Sequence, residues 1–576
     1  MAETLLSPGV LARENDQSFV TAQPIQAGAA ILGPTVKGPT VPTIVTTYSQ
    51  YQNIFGTLVQ SGSDFYTYFT SIAAYNYFQN GGDSLLVGRV TNGTYTAATS
   101  SMMTTGSGGP SSGVAPFVLE TLSKGVIMNS TSTEGTNNTL ISGSSDNIRW
   151  EIVAANSASG TFGLLIRKGD DTGTSKVVLE TWTNLSLDPK ASNYISRVLG
   201  DQAQNIATDG STYYIQTSGS YANASAYVRV KAVNFQTPNY FDNNGTAKAQ
   251  YTGSLPTACS GTFGAATGTP FTQRQAFFYD QAGLSANADS QGVTGSDYTT
   301  MLNLLANPDE YSYNVISMPG LNRVSAATQI STVVTNAQNR GDNIAVVDMV
   351  PYGSALTTVT GQALGMDTSY GATYWPWVQA ADPTTGNAVW VPASTLIPAV
   401  YAFNDNSTEA WFAPAGFNRG GLSTVVRAER KLTQGDRDNL YQGNVNPIAT
   451  FPNQGVVVFG QKTLQKKASA LDRVNVRRLL ITVKDYISQI ADNLVFEQNT
   501  IATRNSFLSQ VNPYLTSVQQ RQGLYAFKVI MDDSNNTADV IDRNQLVGQI
   551  YLQPTKTAEF IYLDFNLTPT GATFPG

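Results

Sequence analysis

At 576 residues, with 41% hydrophobic and 10% aromatic residues, the chain has the profile of a folded protein too large for one core, so two to four domains are expected. Only 13% of residues are charged, the formal net charge is −7 and the sequence pI is about 4.9, so the molecule as a whole has no electrostatic reason to seek nucleic acid or an anionic membrane. The absence of histidine excludes Ser/His/Asp and Cys/His machinery and His-based zinc sites, and the single Cys259 excludes an intramolecular disulfide.

The chain opens MAETLLSPGVLARENDQ, with an early Glu3 and no basic residue leading into a long apolar run, which is not the pattern of a signal peptide. No stretch approaches 18 uninterrupted apolar residues, so a chain made in a cytoplasm, with no membrane insertion, is expected. Residues 1–22 read as an N-terminal arm whose LLSPGVL, with Leu5, Leu6, Val10 and Leu11, is strand-like. Residues 23–93 read as the first part of an α/β core, with a helix from Asp64 to Phe78, capped by Gly81 and Gly82, leading to a strand at Leu85–Val90.

At TNGTYTAATSSMMTTGSGGPSSG the composition turns to nearly uncharged Ser, Thr and Gly, and a boundary belongs there. Segments such as IRWEIVAA, TFGLLIRKG and AYVRVKAVNF, set between Gly, Asn and Asp clusters, make residues 94–268 a β-rich insertion. SYNVISMPG, a helical stretch near Ser325–Asn339 and NIAVVDMV then restore the α/β pattern, so 269–450 read as the second part of the interrupted core.

Residues 451–576 read as a C-terminal domain. Val476, Leu479, Leu480, Val483, Ile487, Ile490, Ala491 and Leu494 recur at three-and-four spacing, one apolar stripe along a helix. A second helix is expected from Thr500 to Val511, restarted by Pro513 and ended by Gly523, followed by strands near Ala526–Met531 and Gly548–Leu552. In the terminal AEFIYLDFNLT, Ile561, Leu563, Phe565 and Leu567 alternate with Phe560, Tyr562, Asp564 and Asn566, a half-buried strand.

Candidate sites are few. GPTVKGPT around Lys37 lacks the GK[ST] ending of a phosphate loop, and DDSNNTADVID has Ala538 and Asn544 where a calcium loop needs Gly and Glu, so no cofactor, metal or catalytic site is expected. The charge anomaly is Lys462 to Lys484, seven bases against the single acid Asp472. Its bland reading is a solvated helix face. Its functional reading is an acidic protein partner for a stripe of Arg473, Arg477 and Lys484 lying away from the apolar face, with nucleic acid a weaker option because no aromatics interleave. The strand-like chain ends either pair within their own subunit or add to a neighbour's sheet, and the second case, repeated head to tail, builds a filament or tube.

Several motifs in fixed order resemble the contractile phage tail sheath family, which is related to the sheaths of R-type pyocins and type VI secretion. They are SPGV (Ser7 to Val10), YWPWVQAADPTTGNAVWVPAS, FAPAGFNRGG, NVNPIATFPNQGVVVFGQKTL with Lys462 where Arg is usual, VNVRRLLITVKDYI, FEQNTIATRNS and AEFIYLDF. The resemblance covers Tyr370 to the end closely and residues 1–93 moderately, while the insertion departs from it apart from ETWTNLSLDPKASNYISRVLG.

It implies an α/β (α+β multidomain) sheath core with a β-rich inserted outer domain and extended terminal strand arms. It further implies a virion structural protein, not an enzyme, assembled in the host cytoplasm. Subunits would stack as hexameric rings around a tail tube, with baseplate and tail terminator proteins as further partners, arms paired with neighbouring subunits and a C-terminal helix facing the tube. Arg473, Arg477 and Lys484 are the expected tube contacts. Another self-assembling virion or surface-layer protein is the alternative, though a surface-layer protein should carry a secretion signal.

Overall fold

Four apolar runs, Ala29–Gly33, Leu85–Arg89, Val315–Asn322 and Ile344–Asp348, lack the alternation of a half-exposed strand, and every residue in them is buried. In the computed structural model, which describes residues 27–61, 64–106, 114–131, 134–210, 212–270 and 291–562, they are parallel neighbours at the centre of a six-stranded sheet. Gly371–Ala372 extends one edge in parallel, and Thr43–Val45 closes the other antiparallel to Leu85–Arg89. Ala29–Gly33 sits between Leu85–Arg89 and Val315–Asn322, so segments far apart in sequence complete one sheet, and the chain from Arg89 to Val315 interrupts it.

Alternate side chains of these strands feed two cores. Ile31, Leu85, Val87 and Val346 meet Tyr51, Phe55, Ile72 and Tyr401 of the helices Tyr48–Phe55, Phe69–Gln79 and Ile397–Ser407. Ala30, Leu32, Leu86 and Val347 meet Leu302, Ile330, Val333 and Val359 of the helices Thr299–Leu304, Ala327–Arg340 and Leu356–Leu364. A parallel sheet needs both faces covered, and here both are. The mixed α/β class expected from the sequence is the class of the structure.

The interrupting chain forms its own antiparallel seven-stranded sheet, ordered Val178–Ser186, Thr161–Lys168, Ile148–Asn156, Cys259–Gly264, Ala97–Ser100, Phe117–Lys124 and Val228–Val233. Trp150, Phe117, Phe162 and Phe263 lead a separate core. Two buried cations tie this sheet to the parallel one. Lys37 Nζ donates to the Asp146 carbonyl at 2.9 Å and lies 3.5 Å from its carboxylate, and Arg89 donates to the carbonyls of Gly38 and Lys124. The hairpin Ala203–Asp209/Thr212–Ser218 leans back, packing Ile206, Tyr213 and Ile215 against the second core.

Two expected elements differ. Asp64–Thr67 is a strand paired with Leu58–Ser61, and the helix begins only at Phe69. Tyr66 and Tyr68 fill a small cluster with Val36 and Val59, which holds the aromatic run extended. Pro513 lies inside one continuous helix, Ile501–Gln520, where a restart was expected. The proline removes one backbone hydrogen bond, but Phe507 and Val511 before it and Leu515 and Val518 after it bury one face, which holds the helix together across the gap.

The C-terminal unit packs the helix Val474–Asp492, the helix Ile501–Gln520 and the hairpin Leu524–Ile530/Gln549–Pro554 around Leu479, Val483, Phe507, Val511 and Leu515, with Trp411 closing the base. Residues 555–562 return toward the core without forming a strand. Ile561 is 75% exposed there, and Leu5, Leu6, Val10, Leu11, Leu563, Phe565 and Leu567 lie outside the described residues.

Candidate functional site at the root and tip of the C-terminal unit

The helix Val474–Asp492 is wedged between two cores: Val474 and Ile481 belong to the core under the parallel sheet, and Leu479, Val483 and Ile490 to the C-terminal unit. With two faces buried, the arginines of its first turns have no solvent side. Arg473, the residue before the helix, donates through Nε and a terminal nitrogen to the Glu559 carboxylate at 2.7 and 2.9 Å. Arg477 is 5% exposed, lies 4.0 Å over the Tyr370 ring and donates to the Ser369 hydroxyl. Arg478 bonds the Asp405 carboxylate and stacks 4.6 Å over Tyr401, whose hydroxyl meets that of Tyr374 at 2.7 Å.

The expectation of an outward stripe therefore fails for Arg473 and Arg477. Both are internal ties, and of the three expected tube contacts Lys484 alone is exposed. The cause is the second buried face, carried by Val474 and Ile481, which the single-stripe reading left out.

The partner that sequence reasoning missed is Glu559. Besides Arg473 it accepts from Tyr441 Oη at 2.7 Å and Gln461 Nε2 at 3.0 Å, so four donors hold one carboxylate. Burial pushes its pKa up, but the bonds from Arg473, Tyr441 and Gln461 outweigh that and hold it below the usual carboxylate range. Lys462 braces the same place, donating to the Tyr441 carbonyl at 2.8 Å and lying 4.6 Å over its ring. Beyond this clamp Phe560, Ile561 and Tyr562 are all exposed. The terminal segment is thus held to the body at Glu559, and the next three side chains are exposed.

A groove of about 370 Å³ opens beside the clamp, lined by Ala413, Ala415, Pro447, Phe459 and Phe560 together with Arg437 and Asp438. Phe417, Phe451 and Phe459 cluster next to it with ring centroids 4.9–5.8 Å apart.

The far end of the unit has the opposite character. The loop after the helix Val474–Asp492 meets the loop after the strand Leu524–Ile530, joined by Asn499 donating to the Gln545 carbonyl at 2.8 Å and by Arg504 to Asp533 at 2.6 Å. Asn536 closes the second loop on itself, accepting from the Val547 amide and donating to the Val547 carbonyl, both at 2.8 Å. Val495, Phe496 and Ile501 stand exposed at this tip, and Phe496 has φ 71. The signal in the sequence was three consecutive apolar residues, Leu494, Val495 and Phe496, inside an otherwise polar connection.

Comparison with known proteins agrees with this geometry. Residues 291–464 match the phage tail sheath protein central domain, and residues 466–568 match the phage tail sheath C-terminal domain. The tail sheath protein of Vibrio phage KVP40 is 38% identical over 240 residues, covering 41% of this chain and 36% of that protein. The tail sheath protein of Enterobacteria phage T4 is 31% identical over 312 residues, covering 51% of this chain and 47% of that protein. The chain thus spans less than half the length of these curated relatives. In fold, a solved sheath tail protein of Listeria innocua matches with a TM-score of 0.50 at 11% identity, covering 92% of this chain and 96% of its own.

Proposed function

We propose that this chain, which carries the central and C-terminal domains of the phage tail sheath family, is a structural subunit of a contractile tail sheath. Subunits stack as hexameric rings around a tail tube and collapse to a shorter, wider sheath that drives the tube through the host envelope. The subunit is made in the host cytoplasm and ends in the virion, with tube, baseplate and terminator proteins as its partners. No nucleotide site is required, since two packings of the same rigid domains that differ in interface free energy store the work.

The observation that carries this reading is the C-terminal hairpin. Leu524–Ile530 and Gln549–Pro554 form a sheet of only two strands among the described residues, with Phe527, Val529, Ile550 and Leu552 turned to the core and both edges open. Two strands alone are marginal, and an open edge is a template for another chain. A neighbour's N-terminal arm, through Leu5, Leu6, Val10 and Leu11, and a C-terminal arm, through Ile561, Leu563, Phe565 and Leu567, add strands here and link the subunits into a mesh. Lys484 remains the proposed tube contact, and the seven-stranded sheet faces outward, away from the tube.

Electron microscopy of the purified chain tests this, intact and lacking residues 1–12. Striated hollow tubes from the intact chain that disappear on trimming are the expected result. Discrete monomers from the intact chain at high concentration contradict it.

A further inference from the structure

A cleft of about 830 Å³ opens where the seven-stranded sheet meets the body of the parallel sheet. Small-molecule sites favour such junctions and measure roughly 300–1,000 Å³. One side is Pro39, Thr40, Val41 and Ile54; the other is the end of the strand Phe117–Lys124 and the start of the hairpin strand Ala203–Asp209.

Two cations at this junction lack an acid. Arg89 is 2% exposed, and its Nε and one terminal nitrogen have no hydrogen-bond partner, while the other terminal nitrogen donates to the carbonyls of Gly38 and Lys124. Its guanidinium lies 4.9 Å over Tyr95, which lines the cleft. Lys124, also in the lining, reaches only neutral oxygens, Thr40 Oγ1 at 3.1 Å and Asn205 Oδ1 at 3.3 Å. Neither Arg89 nor Lys124 is ion-paired among the described residues, although a cation taken out of water is ordinarily paired.

The acids nearby are committed elsewhere. Glu120, in the lining, is held by Arg229 and, at 2.9 Å, by Lys231. Glu180 accepts from the Ser225 hydroxyl and the Ala226 amide, Asp201 from the Ser220 and Tyr221 amides, and Asp297 from Thr294. Burial pushes the Arg89 guanidinium down to about 10. Burial also lowers the Lys124 ammonium; Glu120 opposes this, while Arg89 and Arg229 add to it. An anion in the cleft would relieve both groups.

The same cleft offers uncommitted amides. The side chains of Gln202 and Gln204, and the Asn205 Nδ2, make no hydrogen bond among the described residues. An amide presents a donor beside an acceptor, which suits neighbouring hydroxyls, and an ammonium suits a carboxylate or phosphate. We propose that this cleft binds a small anionic sugar, with its acidic group at Lys124 and its hydroxyls on Gln202, Gln204 and Asn205. The site needs no assembly of copies, so it stands apart from the sheath reading.

Calorimetric titration of the purified full chain with glucuronate, a hexose phosphate, glucose and inorganic phosphate tests it. Glucuronate or the hexose phosphate should bind about tenfold more tightly than glucose and than inorganic phosphate, and which of the two wins tells carboxylate from phosphate. Lys124→Met should weaken that binding about tenfold and Gln202→Ala about threefold, the latter with an unchanged melting temperature, while Lys484→Met in the C-terminal unit leaves it unaltered. No preference for either anionic sugar over glucose overturns the site, as does binding that neither Lys124→Met nor Gln202→Ala weakens. Inorganic phosphate binding as tightly as the hexose phosphate overturns the assignment of a sugar.

Discussion

The two ends of the helix Val474–Asp492 carry charge in opposite ways. At its root the cations are spent inside the molecule: Arg473 on the terminal segment, Arg477 on Tyr370 and Ser369, Arg478 on Asp405 and Tyr401. Each ties the C-terminal unit to a different piece of the body. At its tip, below an exposed phenylalanine, the ion pairs are local, Arg504 with Asp533 and Arg543 with Asp539, and their carboxylates stand in solvent. A dense run of bases in sequence was therefore largely scaffolding, spent on ties inside the molecule.

If that contrast is right, variants at the root cost stability and variants at the tip do not. The largest effect is expected from Arg478→Ala, which empties the buried guanidinium site over Tyr401 and unpairs Asp405, and should lower unfolding free energy by about 3 kcal/mol in urea titration. A loss below about 1 kcal/mol would mean that the root arginines are not structural. Glu559→Gln keeps the shape of the clamp but removes its charge, and should cost about 2 kcal/mol. It should show first as faster proteolysis and amide exchange between residues 555 and 562.

The clamp also has a pH signature. The Glu559 pKa is depressed in the folded state, so its stabilisation is present above the ordinary carboxylate range and is lost as pH falls through the depressed value. Acid below about pH 4 should free the terminal segment before the body unfolds, and Glu559→Gln should abolish that step. Asp348 is the internal contrast. Burial raises its pKa to about 7, against the pull of the Ser394 hydroxyl and amide. The folded pKa lies above the unfolded one, so its contribution is complete at low pH and is lost as pH rises toward 7. The stability of Asp348→Asn relative to the wild type should therefore rise between pH 4 and pH 8. A flat difference would show that Asp348 does not titrate there.

How far the sequence alone reached follows from the range of the interactions. The parallel strands Leu85–Arg89 and Ile344–Asp348 were legible because they are short, largely apolar runs, a local pattern, whereas Ala29–Gly33, among runs cut by Gly and Pro, was not singled out. The change of composition after Val90 stands next to the seven-stranded sheet for the same reason. The helix Val474–Asp492 was visible, but the burial of its arginines was not, because Val474 and Ile481 form a second apolar face that looks like noise in a one-stripe reading. Glu559 lies 86 residues from Arg473, and no periodicity pairs them. The strand Asp64–Thr67 was lost to a helical reading because its aromatics are consistent with either element until Val36 and Val59 are seen beneath them.

The smallest effect belongs to the tip. Phe496→Gly relieves the left-handed backbone and exposes less apolar surface, and should change unfolding free energy by no more than about 1 kcal/mol, in the stabilising direction, by thermal melt. A clear destabilisation would mean that Phe496 packs within its own subunit.

The most direct measurement is a helical reconstruction of the assembled chain, read at the hairpin Leu524–Ile530/Gln549–Pro554. The account predicts added strands from neighbouring copies on the open edges, with Arg473, Arg477 and Arg478 still on their own subunit's partners. A hairpin that remains two-stranded in the polymer, or root arginines turned out toward another protein, would contradict it.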